Sequence, residues 1–264
     1  VEQMYIFELT KPGNWLESED KEWSWKIERL LDHLEFAFYE ANVALNLFMQ
    51  QQNNQIEQQG VSQLQWEKEM QERRTIETLV REELGLSPFE NPENIQFEVD
   101  ARFKREKWSS GEIPRSHKHC VIFIYAKSFL YSLDTIDKFI KVISNEPYAP
   151  ESIKALHDQI GKDFPDLRGV RNSTQHLEDR ARGLGAGREP KPLNLQPISN
   201  TFINAPQGAL ILNNLNGTKF GSTMSDGHYG EVDISPESLS KMQSIVQGVL
   251  DSFKWVGNQQ HLPS

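Results

Sequence analysis

A chain of 264 residues with 37% apolar side chains is long enough to bury a core as one large domain or two small ones. A net charge of −10 and a pI of about 5.3 exclude attraction to nucleic acid through bulk positive charge, so any such contact must come from a local patch. The single cysteine, Cys120, excludes an intrachain disulfide framework and fits a reducing compartment. The stretch Val1–Glu8 is acidic and lacks the basic start and apolar core of a signal peptide. The longest apolar run, Val121–Ala126, is far below the ~20 residues of a membrane span. A cytoplasmic protein with no membrane contact is the expectation.

In chain order, Lys11-Pro-Gly-Asn-Trp15 reads as a turn. A long helix follows, roughly Lys21 to Gln52, because Ile27, Leu30, Leu34, Phe38, Ala41, Leu45 and Phe48 recur at spacings of three and four. Phe36, Val43 and Leu47 form a second apolar stripe, which predicts a helix central to a bundle. The Gln/Asn-rich tract Gln50–Gln59 reads as a frayed helix end and loop. A second helix spans about Ser62 to Leu84, with a weaker stripe (Trp66, Met70, Ile76, Leu79, Val80) and Gly85 placed to cap it. Pro88–Pro114 reads as irregular, with a strand-like or short helical piece around Ile95–Phe103.

A third long helix runs from about Ser116 to Ser144 on Ile122, Ala126, Phe129, Leu133, Ile136, Ile140 and Ile143; its first turns are apolar all round, which predicts burial. A short helix covers Glu151–Phe164, and another runs from Asp166 to about Leu184. A Gly- and Pro-rich hinge then changes the composition. Short strands follow: Ala209–Leu212 and Thr218–Thr223 flank the turn signal Asn213–Gly217, and Asp226-Gly227 marks another turn. Ser235-Pro236 starts a last helix burying Leu239, Met242, Val246, Val249 and Phe253. The predicted fold is mainly α (α+β), a helical bundle over residues 1–188. A β-hairpin unit and a C-terminal helix over 189–264 are expected to pack on it.

Chemistry concentrates in Arg171-Asn172-Ser173-Thr174-Gln175-His176. On one continuous helix, Leu167, Val170, Thr174, Leu177, Ala181 and Leu184 would face the bundle. Asn172 and His176 would then point outward one turn apart, with Asp179 close to both and Arg171 on the flank. Cleavage of RNA by its own 2′-hydroxyl needs a proton-transfer group, a cation for the phosphate, and a group that holds the phosphate in line. Histidine suits the first, arginine the second, and an amide the third. Glu178 or Asp179 could orient the imidazole.

The pattern Arg171-Asn172 followed after three residues by His176 resembles the Arg-polar-x-x-x-His signature of the HEPN superfamily (higher eukaryotes and prokaryotes nucleotide-binding). The resemblance covers six residues directly, and the long-helix context only loosely; the β unit lies outside the superfamily's core. It implies a helical bundle, commonly dimeric, with Arg171, Asn172 and His176 as the matching site. It also implies RNA as substrate or ligand, through metal-independent endoribonuclease activity in a toxin, defence or RNA-processing setting, or through binding alone. An antitoxin-like protein partner belongs to the same expectation, and no cofactor or metal does. Arg168, Arg180, Arg182 and Arg188 are candidate RNA contacts. The alternative is a non-enzymatic helical homodimer whose polar motif is structural.

Other signals are weaker. His117-Lys-His-Cys120 lacks further ligands for zinc, and Gly183–Gly187 follows a helix, so it reads as a C-cap and hinge. Arg102, Lys104, Arg105, Lys107, Arg115 and Lys118 surround Trp108 in a locally basic segment that reads first as solvated surface. His228, in its Asp-Gly-His-Tyr turn, reads as a surface residue.

Overall fold

The computed structural model describes residues 4–57, 63–87, 90 and 94–264. The protein is mainly α, with short antiparallel strands. The chain runs β1 (Leu9–Lys11), β2 (Trp15–Leu16), α1 (Lys21–Glu57), α2 (Gln63–Leu84), α3 (Ile95–Ser109), α4 (Arg115–Ser144), α5 (Ser152–Asp163), α6 (Leu167–Gln175) and α7 (Leu177–Ala181). It continues through β3 (Ile198–Ser199), β4 (Asn204–Ala205), β5 (Asn214–Asn216), β6 (Lys219–Thr223), β7 (Tyr229–Asp233), α8 (Pro236–Asp251), β8 (Trp255–Val256) and β9 (Gln260–Leu262). No helix among the described residues is long and apolar enough to cross a membrane. Two compact units result, one of residues 1–50 and 123–264 and one of residues 51–122. Within the larger unit α6 packs on β6 and β7, and α5 packs on α8.

In the larger unit α1 and α4 run antiparallel. The indole of Trp23 donates to the Pro147 carbonyl at 2.6 Å, Lys26 pairs with Glu146 at 2.6 Å, and His33 stacks on Phe139. Ile27, Leu34, Phe38, Ala41, Leu45 and Phe48 are buried as their spacing predicts, with Leu31 buried beside the half-exposed Leu30. Phe129, Leu133, Ile136, Ile140 and Ile143 of α4 are equally buried. Each buried Ile, Leu or Phe contributes about 1.5–3 kcal/mol of burial free energy. The second stripe differs from expectation. Phe36 and Val43 are 59% and 50% exposed, and Ile124 near the start of α4 is 57% exposed. Both helices bury one face and leave another on an open groove of about 560 Å³.

The strands complete this unit. β1 pairs with β9 and β2 with β8, and Gln247 of α8 bonds both the N–H and the carbonyl of Thr10 at 2.8 Å. β5, β6 and β7 form one antiparallel sheet. Its first hairpin is shifted from the predicted one: Asn216 faces Lys219 across a turn of Gly217 and Thr218, and Ala209–Leu212 is not a strand. Gly217 takes φ +59°, which favours glycine. The N–H of Glu231 donates to Asp166 at 3.1 Å, which fixes the start of α6 on β7. Ser235 caps α8 by accepting from the Ser238 N–H, with Pro236 at the first helical position.

The smaller unit is built on α2 and α3, which bury Ile76, Val80, Ile95, Val99 and Phe103. The segment around Ile95–Phe103 is therefore helical, and the helix continues to Ser109. Leu86 closes α2 by donating to the Arg81 carbonyl at 2.9 Å, with Gly85 at φ +64°. Trp66 and Leu79 are exposed. The predicted helix start at Ser62 and the end of the Gln-rich tract lie outside the described residues. Arg102 pairs with Glu83 and Glu98, and Lys107 pairs with Glu69 and Glu112, so two of the six cations around Trp108 are held in ion pairs.

Candidate functional site

The motif does not lie on one continuous helix. α6 ends at Gln175, His176 takes φ −111° and ψ 45°, and α7 begins at Leu177. Asn, Ser and Thr are weak helix formers because their side chains compete for backbone partners. Here the Thr174 hydroxyl donates back to the Arg171 carbonyl at 2.7 Å. The break carries Ala181 out of the predicted packed stripe and into solvent.

The break also separates the motif residues. Arg171 is buried, not on a solvated flank: one Nη donates to Asp134 of α4 at 2.7 Å and the other to Gln175 at 2.6 Å. Its Nε is buried without a partner among the described residues. Asp134 also receives Lys138 at 2.7 Å. The guanidinium is thus already engaged with a carboxylate that Lys138 shares, and its position is fixed by α4. Asn172 is half-buried. His176 is exposed, with Nδ1 4.0 Å from Glu178.

His176, Glu178 and Asp179 come together at the α6–α7 corner, with ligand-capable atoms within 4.8 Å of one another. Three such atoms could accept a divalent cation, but Asp179 is already bonded by Arg182. The expected RNA contacts separate. Arg180 is 1% exposed and caps the loop after α7, donating to the carbonyls of Leu184 and Gly185; it is a structural residue. This arrangement also confirms the Gly183 turn (φ +72°) as a C-cap. Arg182 and Arg188 are exposed, and Arg168 faces a separate cleft beside α5. His117, His119 and Cys120 are exposed, as is His228.

Two residues that sequence patterns did not single out matter here. Asp134 is a carboxylate inside the apolar face of α4, and that placement was the available signal for a buried cation opposite it. Tyr131, half-buried on α4, meets the Thr174 hydroxyl at 3.2 Å while lining the apolar groove. The groove carries Phe36, Glu40, Val43 and Leu47 from α1 and Ile124, Ser128, Tyr131 and Thr135 from α4. Both sets follow the same spacing of four, three and four, so matching stripes flank the groove for about 16 Å.

The chain matches no family model, no curated protein and no solved structure.

Proposed function

We propose that the protein is a HEPN-like RNA-binding homodimer with metal-independent endoribonuclease activity, in which His176 transfers protons and Arg171 is a positioning residue. The observation that carries this reading is the Tyr131–Thr174 contact at 3.2 Å, which sets the motif helix against the edge of the exposed apolar groove. Two copies joined through that groove bring their α6–α7 corners toward each other. The equal spacing of the two stripes suits a two-fold interface, in which α1 of each copy meets α4 of the other.

The chemistry needs the pair. A 2′-hydroxyl attacks the adjacent phosphorus as one imidazole takes its proton. The 5′-oxygen leaves with a proton from a second group, and a 2′,3′-cyclic phosphate remains. Each chain offers one exposed motif imidazole, and the second copy supplies the other. Arg171 is held by Asp134 and Gln175, so it anchors the end of α6 from which His176 projects. Arg182 and Arg188 lie exposed near that corner in sequence; Arg182 is paired with Asp179, which leaves Arg188 as the candidate for phosphate contact. The test is cleavage of single-stranded RNA in the presence of chelator. Wild-type protein should cleave, and His176→Ala should lose at least about a hundredfold of the rate while remaining folded and dimeric. Cleavage unchanged by that substitution would contradict the proposal.

A second reading is favoured by a specific observation: Asp134 already neutralises Arg171. On that reading the motif is structural and the dimer is an interaction protein without turnover. It predicts no cleavage in any metal condition, with dimerisation retained in His176→Ala.

A further inference from the structure

A second group of polar side chains lies where α4, α5 and α6 meet. A cleft of about 270 Å³ is lined by Asp137 and Lys141 of α4, His157 and Asp158 of α5, and Arg168 of α6. His157 Nε2 lies 3.1 Å from the Asp137 carboxylate, close enough for an ion pair when the imidazole is protonated. That nitrogen is nevertheless shielded from solvent without an aligned hydrogen bond. Neither the Lys141 ammonium nor the Arg168 guanidinium has an ion pair or hydrogen-bonded partner among the described residues. The lining thus holds two unpaired cations, Lys141 and Arg168, beside the carboxylates of Asp137, which faces His157, and of Asp158, which is exposed.

We infer that this cleft binds a phosphate group, held by Lys141 and Arg168, with the His157 ring in its wall beside Asp137. Arginine presents a planar fork to phosphate oxygens and lysine a point charge, and a concave wall strengthens both by limiting solvent. The cleft and the motif share α6. Arg168 and His176 are eight residues apart, about 12 Å along the chain's rise. That spacing lets one nucleic-acid strand reach both. The shared ligand chemistry is a phosphate ester, from an RNA backbone or from a free nucleotide. Only the RNA source rests on the proposed function.

The experiment follows the histidine ring signals of the full-length protein by NMR in phosphate-free buffer. The probes are inorganic phosphate, a nucleoside 5′-monophosphate, and a 2′-O-methyl RNA oligonucleotide that lacks the attacking hydroxyl. Phosphate and the monophosphate should shift His157 and leave His176 in place. Lys141→Gln and Arg168→Gln replace exposed residues, so folding should be retained, and each should weaken binding by about tenfold. An oligonucleotide that shifts both His157 and His176 identifies the RNA backbone as the source. A response to the monophosphate but not the oligonucleotide identifies a nucleotide site. A silent His157 with all probes, or shifts unaltered by both substitutions, overturns the inference. Loss of RNA cleavage alone does not touch it, and a silent His157 in a protein that still cleaves RNA overturns this site only.

Discussion

Burial changes what a charged side chain can do, and Arg171 illustrates this. In water its guanidinium would be available to a phosphate; in the wall of α4 it is held by Asp134 and Gln175. Breaking a buried pair from one side leaves an uncompensated charge, so Asp134→Leu, which strands the buried Arg171 guanidinium, should cost about 3–5 kcal/mol in denaturant unfolding. Arg171→Met combined with Asp134→Leu should cost less than Asp134→Leu alone. Equal or larger loss in the double variant would show that the pair is not the source. Glu35 is a second buried charge. Burial pushes its carboxyl above the ordinary value of 4.5, against the pull of Lys11, whose Nζ lies 3.1 Å away. A raised folded value means that its contribution is fully present below pH 4.5 and is lost as pH rises through the raised value. Wild-type stability relative to Glu35→Gln should therefore fall as pH rises above 4.5; an opposite slope in paired pH–denaturation curves would refute the assignment.

At the scale of elements, periodicity was a good guide where a helix buries one face over many turns. The inward stripes of α1, α4 and α8 follow it closely. It failed where a second influence acts. The apolar residues Ile95, Val99 and Phe103 are spaced as on a helix, yet flanking prolines and polar residues made the segment look irregular. Polar hydrogen bonding interrupts α6 at a motif that contains neither glycine nor proline. The long side chain of Arg180 turns inward to loop carbonyls, which no local pattern signals. Strands of two or three residues that pair across almost the whole chain, as β1 does with β9, are equally silent. Two glycines separate space from backbone conformation. Gly227 sits at φ +89°, and a Cβ there would lie 2.0 Å from the Asn194 carbonyl oxygen. Gly227→Ala should cost about 1–3 kcal/mol. Gly161 lies within α5 with nothing inside 4 Å, so Gly161→Ala should gain about 0.5–1 kcal/mol. Thermal melts of the two variants that shifted in the same direction would contradict this account.

For the whole molecule, the balance between an open apolar face and a negative net charge is the central matter. Phe36, Val43 and Ile124 present apolar surface on two adjacent helices while the chain carries a charge of −10. Large exposed apolar patches on such a surface mark interaction sites. Their exposure was hidden in the sequence, because a second apolar stripe reads the same whether a neighbouring helix or another molecule covers it. Val43→Glu leaves the buried stripe untouched and places a charge against the apolar stripe of α4 in the second copy. Sedimentation should then show a monomer that keeps the wild type's helical content; a retained dimer would exclude this face. Function enters at the same scale, since the motif corner borders the groove through Tyr131 and Thr174. The most direct measurement is the RNA cleavage rate per chain, in chelator, across a dilution series spanning dimer dissociation. The account predicts a rate that follows the dimer fraction and vanishes with the monomer, in parallel with its loss in Val43→Glu. A rate per chain independent of concentration, or no cleavage at any concentration, would contradict it.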